Sequence, residues 1–407
     1  MKRALVALLC LMLAAGSLTG CSNEKVKAET PVSTEPQEEP GTENTEPEKQ
    51  ENQENQEEKK EQEKQIEDKE EEKSPEKEDE VQAEDLTMTT LKNSAGTVDY
   101  TSLEELNLEK GSHIAVVVKS TKTGFWNVVK KGMEQAVKDL NEKLEYKGDD
   151  KIKLSYEGPT DETDVESQIN IIDAVLAENP SVLCLAAIDM ESCQAQLETA
   201  EENGIPVVVL DSGVVTGTVN AVCATDNKAA GAEAARKLCE AIGDSGQIAV
   251  MAHLESTETS VDREQGFREE ISANHPYVKI VEVSHENEEE AMKDMAARVL
   301  EANPDLKGYF CTNQMTGDEV LAAVKESEQD DIAVVSFDAG KTQVEALESG
   351  TVAGIIVQNP YGMGYATVVA AARAELGLAN DSFINSGYEW IDAASLDDEK
   401  YANYLYE

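Results

Sequence analysis

Positive charge is what this 407-residue sequence most conspicuously lacks: 35 Lys and Arg stand against 83 Asp and Glu, a net charge of −48. A chain so acidic repels DNA and RNA, which excludes nucleic acid as a partner. A bilayer-spanning stretch is missing too, since a transmembrane helix needs roughly 20 apolar residues and the run near the N-terminus has about 15. None of the 7 cysteines forms a Cys-x-x-Cys pair, so the commonest zinc and redox spacings are absent. No Ser-His-Asp set or carboxylate pair recurs at enzymatic offsets, and neither a catalytic residue, a metal nor a cofactor is assigned. A glycine is missing as well. "SFDAGKT", residues 336 to 342, closes on the Gly-Lys-Thr of a phosphate-binding loop, yet the residue five before Gly340 is Val335. Without that glycine the backbone N–H groups cannot wrap a phosphate, so Gly340 is expected only to start a helix and Lys341 to be solvated.

What is present falls into three zones. The first, "MKRALVALLCLMLAAGSLTGC", has two basic residues, the apolar stretch and then small residues, the layout of an export signal. Its "LTGC" resembles the lipobox of bacterial lipoproteins. That likeness implies a signal peptide over residues 1–20 and acylation of Cys21, whose acyl chains would hold the protein on the outer face of the cell membrane. From residue 22 to 85 the chain has 25 acidic residues, 9 lysines and a net charge of −16. With almost nothing apolar to bury it cannot offset its ordering entropy, and like-charge repulsion extends it. Residues 21–110 are therefore expected to form an acidic disordered tether.

From Gly111 onward short apolar runs alternate with amphipathic stretches. "HIAVVVKS", "SVLCLAAI", "IPVVVLD", "QIAVMAH", "GYFCTN", "IAVVSFD" and "AGIIVQN" read as strands buried on both faces. Helical patterns such as "FWNVVKKGMEQAVKDLNEKL" and "DVESQINIIDAVLAEN" separate them, several opening on Asp or Asn as a cap. Strand, helix, strand over this length predicts an α/β fold of doubly wound parallel sheets, in two lobes rather than one.

In such sheets the ligand crevice lies beyond the carboxyl ends of the strands. The residues there include Phe125, Trp126, Asp211, Asn313, Asp338 and Gln358. Aromatic rings offer a face to the C–H side of a sugar, while carboxylates and amides bond vicinal hydroxyls. His253, at the end of another strand, fits a structural role better than a ligand contact. Five cysteines lie beyond the leader, and without a framework they read as buried thiols.

These segments, in this order, resemble the type I periplasmic binding proteins of sugar transporters, the ribose-binding kind in particular. The likeness rests on "STKTGFW", "GIPVVVLDS", "ATDN", "DREQGF", "YFCTNQ", "VVSFD" and "IIVQNP", and covers the chain from about Ser112 to its end. It implies two Rossmann-like lobes joined by a three-crossover hinge near residues 224 to 226, 357 to 359 and 388. The lobes would comprise residues 111–225 with 359–388, and 226–358 with 389–407. It further implies a monomer that closes on one monosaccharide and presents it to the membrane permease of an ABC importer. Phe125 and Trp126 would sandwich the ring, and Asp211, Asn313 and Asp338 would bind hydroxyls. Arg263, placed by its Arg-x-x-Gly-Phe spacing, would bind a hydroxyl or the ring oxygen, Gln358 would act at the hinge, and Phe337 would be wall.

The departures bear on specificity. Ser212 stands where the ribose pattern often has arginine, Ala186 and Ala187 where it has Asn-Pro, and Glu286 or Asn287 where an aromatic is common. Swaps of this kind shift discrimination between sugars tenfold or more, so a hexose, a polyol or a nucleoside also fits. A sensory receptor feeding a chemoreceptor or sensor kinase is the functional alternative. A DNA-binding regulator on the same core is disfavoured, because an acidic tether stands where a basic helix-turn-helix would be.

Overall fold

The apolar runs become the interior strands of two separate sheets. The computed structural model describes residues 86–406, apart from 216, 328 and 330. The expected leader, Cys21 and most of the acidic linker fall outside these residues. The first sheet contains β1 (His113–Val117), β2 (Lys153–Glu157), β3 (Val182–Leu185), β4 (Val207–Leu210), β5 (Ala221–Ala224) and β11 (Phe383–Asn385) in the order β11-β5-β4-β3-β1-β2. The second contains β6 (Gly246–Ala252), β7 (Val278–His285), β8 (Leu306–Cys311), β9 (Ala333–Phe337), β10 (Gly354–Gln358) and β12 (Tyr388–Ile391) in the order β12-β10-β9-β8-β6-β7. All pairings are parallel except β10 with β12. Every residue of β3, β4 and β10 is buried, as strands covered by helices on both faces require.

Among the described residues α1 (Leu86–Ser94) precedes the first strand and nine α-helices follow between the strands: α2 (Gly124–Lys143), α3 (Val165–Ala177), α4 (Gln194–Glu202), α5 (Asn227–Ala241), α6 (Glu258–Asn274), α7 (Met292–Ala302), α8 (Gln314–Glu326), α9 (Lys341–Ser349) and α10 (Pro360–Glu375). Their starts follow the sequence signals. Asp164, Asp226, Asn313 and Asn359 each cap a helix by accepting from a backbone N–H in its first turn, satisfying a donor that has no intrahelical partner. Gly340 precedes α9 as its N-cap, and Lys341 is solvent-exposed.

The chain passes between the sheets three times, after β5, after β10 and after β11, which gives two doubly wound lobes on a three-stranded hinge. The second passage is anchored by α10, which leaves the second sheet yet packs on α2 and β4 of the first lobe. Two glycines make that approach close. A Cβ at Gly132 would lie 2.1 Å from the Tyr361 carbonyl oxygen, and one at Gly364 2.1 Å from that of Val129.

One boundary differs from expectation. Residues 86 to 110, assigned to the tether, are part of the first lobe: Leu91, Tyr100, Leu106 and Leu108 are buried in its core. Asn359 Nδ2 donates to the Thr87 carbonyl at 2.7 Å, and the Asp381 carboxylate accepts from Thr97 and Val98. The apolar side chains in this stretch are too widely spaced to show a period, but they share one pocket of the folded lobe.

Candidate ligand-binding cleft

Between the lobes lies a cleft bordered by the carboxyl ends of both sheets, where a doubly wound fold leaves its crevice. All seven residues singled out from the sequence, Phe125, Trp126, Asp211, Arg263, Asn313, Asp338 and Gln358, line it. The space open to the centres of water-sized spheres is about 80 Å³. One water needs about 10–15 Å³ on that measure, so the site admits a compact ring molecule and excludes an oligomer.

The two aspartates occupy corresponding places. Asp211 follows β4 and Asp338 follows β9, and both have left-handed backbones, with φ of 57° and 73°. Strain of this kind costs of order 1–3 kcal/mol per residue and persists where surrounding structure imposes it, commonly at ligand clamps. The backbone N–H of Asp211 donates to Cys223 at 2.9 Å and that of Asp338 to Ile356 at 2.8 Å, which holds each turn against the next strand.

Each carboxylate is compensated. Asp211 pairs with Lys119 at 2.9 Å, with both side chains under 10% exposed, and the same ammonium lies 5.8 Å from the Trp126 ring. Asp338 accepts from Gln358 Nε2 at 2.8 Å and from the Gln314 backbone at 3.0 Å. Gln358 Oε1 in turn accepts from Thr225 at 3.0 Å. Thr225 lies on the first crossover and Gln358 on the second, so this chain of bonds ties the hinge to the cleft. Lys119 and Gln314 were not foreseen. Lys119 stands in the quoted "HIAVVVKS", but a lysine after a strand does not reveal its partner.

Arg263 is buried rather than a surface charge. Its Nε donates to Asn227 Oδ1 at 2.8 Å and its Nη1 to the Thr312 carbonyl at 2.7 Å, with the guanidinium 4.2 Å over the Phe337 ring. Phe337, expected to be wall, is buried in the core behind the arginine and does not itself line the cleft. The spacing to Gly266 has a physical cause. A Cβ there would meet the Lys228 carbonyl at 2.1 Å, and one at Gly231 would meet that of Arg263 at 2.1 Å, so two glycines let α5 and α6 touch backbone to backbone.

Phe125 and Trp126 meet edge to face with centroids 5.0 Å apart, and Trp126 Nε1 donates to Glu162 at 3.0 Å. Asn313 is partly engaged, since its Oδ1 caps α8 by accepting from Thr316 at 2.9 Å. His253 lines the cleft through a buried Nε2 that has no partner, while its Nδ1 contacts Glu286. Glu286, one of the two residues expected near the place of a common aromatic, therefore holds a histidine. Glu162 carried no sequence signal, and Glu286 was marked only as a departure from the ribose pattern, because each is recruited from a loop by a residue remote in the chain.

At the mouth the lobes touch directly. Thr257 donates to the Ile188 carbonyl at 2.8 Å, and Glu258 accepts from the Gly213 N–H at 2.6 Å. Burial raises the Glu258 carboxyl above the usual carboxylate value of 4.5.

Away from the cleft, Cys184, Cys193, Cys223, Cys239 and Cys311 are buried and unpaired. Burial pushes the Cys193 thiol up to about 11 and those of Cys223 and Cys239 to about 12. Cys239, Asp244 and His275 come together as potential metal ligands. However, His275 Nδ1 lies 2.5 Å from Asp244 Oδ1, a hydrogen-bond distance and shorter than the roughly 3.3 Å between neighbouring ligands on a tetrahedral zinc with bonds of about 2 Å.

The sequence profile described as "Periplasmic binding protein domain" matches residues 114–378. The chain is 24% identical over 260 residues to the ribose import binding protein of Haemophilus influenzae, covering 64% of this chain and 84% of that protein. Over 261 residues it is 25% identical to the D-allose-binding periplasmic protein of Escherichia coli, covering 61% and 80%. A solved ABC transporter solute-binding protein from Agrobacterium vitis, bound with α-D-tagatopyranose, superposes with a TM-score of 0.67. The two share 28% identity, over 73% of this chain and 99% of that one.

Proposed function

The chain belongs to the periplasmic binding protein family, and from that premise we propose that it captures one monosaccharide in the cleft and delivers it to the permease of an ABC importer. The observation that carries this reading is the convergence, in one small cleft, of an aromatic pair with carboxylate, guanidinium and amide groups drawn from both lobes. The charges are largely matched within the site, Asp211 by Lys119 and Asp338 by amide donors. A neutral ligand rich in hydroxyls can join these bonds without bringing a charge to be desolvated.

In this reading Phe125 and Trp126 pack on the sugar ring, and Asp211, Asp338 and Asn313 bind hydroxyls. Arg263 bonds a hydroxyl or the ring oxygen, and Gln358 reports occupancy to the hinge. Relatives named for ribose and allose, and the similar solved structure bound with tagatopyranose, support the class of ligand. Ser212, Ala186, Ala187 and the Glu286–His253 pair argue against the ribose pattern of contacts, and favour another pentose or a hexose. Acylation at Cys21 and the acidic tether would hold the monomer outside the membrane, within reach of its permease.

The test is a thermal-shift screen of residues 22–407 against pentoses, hexoses, polyols and nucleosides. A sugar present at 100 times its Kd stabilises the fold by about 2.7 kcal/mol, a readily measured rise in Tm. Asp338→Ala removes the acceptor for Gln358 and Gln314 and is expected to abolish the shift while the protein still folds. If no sugar shifts the wild type and a nucleoside does, the monosaccharide reading fails.

A further inference from the structure

After β12 the chain turns back toward the cleft. Tyr401, Tyr404 and Tyr406 are all buried in this returning segment. The backbone N–H of Tyr406 donates to the Ala339 carbonyl at 3.2 Å, beside Asp338 of the second lobe. Its ring stands edge-on to Phe125 of the first lobe, with centroids 6.3 Å apart and planes at 70°. On the outer side Leu405 and Tyr406 share a groove with Val128 of α2 and Val344 of α9. The segment therefore straps the two lobes together on the edge of the site.

A second observation concerns the phenol itself. Its oxygen is buried and its O–H finds no acceptor. Burial, and after it the Asp338 carboxylate, hold this phenol well above the usual tyrosine range, while the Ala339 backbone N–H and Arg263 act on it in the opposite direction and Glu162 in the same one. Asp338, Arg263 and Glu162 line the cleft. A buried donor without an acceptor is costly and needs a reason, and a hydroxylated ligand in the cleft would supply one. Of the side chains lining the cleft, the second lobe supplies no ring but the His253 imidazole, which contacts Glu286, so the site otherwise lacks an aromatic opposite Phe125.

We propose that Tyr406 is a ligand-contacting, specificity-determining residue, and that the segment after β12 supplies the second aromatic wall of the site together with a hydroxyl donor to the sugar. The inference rests on the reading of the cleft as a sugar site. It adds a strap that engages both lobes at the edge of the cleft.

The test uses residues 22–407 and the sugar that stabilises them best in the screen, titrated by calorimetry against wild type, Tyr406→Phe and Tyr406→Ala. Tyr406→Phe keeps the ring and removes the orphan hydroxyl. Its affinity is expected to fall about three- to tenfold, while the sugar-free Tm stays equal or rises. A purely structural tyrosine would not divide the two readouts in that way. Tyr406→Ala loses the ring face as well, and its affinity is expected to fall tenfold or more. Wild-type affinity in both variants overturns the proposal. Tighter binding by Tyr406→Ala also overturns it, because the ring would then occupy the space of the ligand rather than contact it. If Asp338→Ala abolishes binding and both Tyr406 variants bind normally, this inference fails alone, whereas a wild type that binds no sugar overturns it along with the sugar reading.

Discussion

Replacing Gly266 with alanine probes how helix packing places a binding group. The new Cβ would sit 2.1 Å from the Lys228 carbonyl oxygen, and ordinary contact begins near 3.4 Å, so α6 must move by about 1.3 Å relative to α5. Lys228 cannot yield, because the offending atom is backbone in the first turn of α5. Alanine gains about 1 kcal/mol of helix propensity over glycine, but overpacking a close contact costs typically 1–3 kcal/mol and sometimes more, and this overlap lies at the severe end. We expect a net loss of about 2 kcal/mol. At roughly 2.1 cal/mol/K of unfolding entropy per residue, the folded unit of more than 300 residues converts this to a Tm decrease of about 3 °C. The effect on binding should be larger. A displacement of 1.3 Å carries the 2.7 Å bond from Arg263 to the Thr312 carbonyl out to about 4 Å, and a bond to a charged group contributes about 1.5–3 kcal/mol. Sugar affinity is expected to fall tenfold to a hundredfold. Thermal unfolding and calorimetric titration measure the two effects. Gly204→Ala is the control: its φ of 68° imposes strain, but no atom lies within 4 Å of the added Cβ, so Tm should fall with affinity unchanged. If Gly266→Ala lowers Tm and leaves affinity at the wild-type value, the α5–α6 contact does not position Arg263, and the reasoning fails.

Other outcomes follow from the charges around the cleft. Because Lys119 and Asp211 are buried together, Lys119→Met or Asp211→Asn alone should destabilise by about 3–5 kcal/mol, whereas the double variant should recover most of that loss. Additive losses in urea unfolding would show that the pair is not coupled. Glu258 supplies a pH dependence. Its carboxyl is raised in the folded state by burial, so its charged form is penalised there. The penalty is absent below the ordinary value of 4.5 and sets in as pH rises through the raised folded value. Tm measured from pH 4.5 to 7 should therefore fall for the wild type relative to Glu258→Gln, which can still accept from the Gly213 N–H. A pH-independent difference between the two proteins would rule out this role.

Five strands went unrecognised in the sequence, and four of them, β2, β7, β11 and β12, are the outer strands of the two sheets. An edge strand is covered less completely, so it carries polar residues such as those of "KLSYE" and loses the apolar run that marks an interior strand. The fifth, β5, lies inside its sheet but is built largely of small residues, "AVCA" against the "VLCL" and "VVVL" of the equally short β3 and β4. The start of the first lobe was misplaced for a related reason: Leu91, Tyr100, Leu106 and Leu108 are buried against one another and α10 without sharing a period.

The sequence by itself determined the interior strands except β5, the capped helices, the two-lobed α/β fold and the residues at the strand ends, since burial on both faces, helix starts and strand termini leave local marks in the chain. It also determined which of two neighbours matters in "SFDAGKT": Gly340 opens a helix, and Asp338 faces the cleft. Only the tertiary structure decided that Lys119 neutralises Asp211, that Glu286 holds His253, that Gln358 links the hinge to Asp338, and that Tyr406 reaches back across nearly 70 residues to stand beside Asp338. Those pairings join residues from different strands, lobes or termini. The energy that selects them is charge compensation and burial at the strand ends, which has no counterpart in local periodicity and exists only once the lobe that holds each pair has folded.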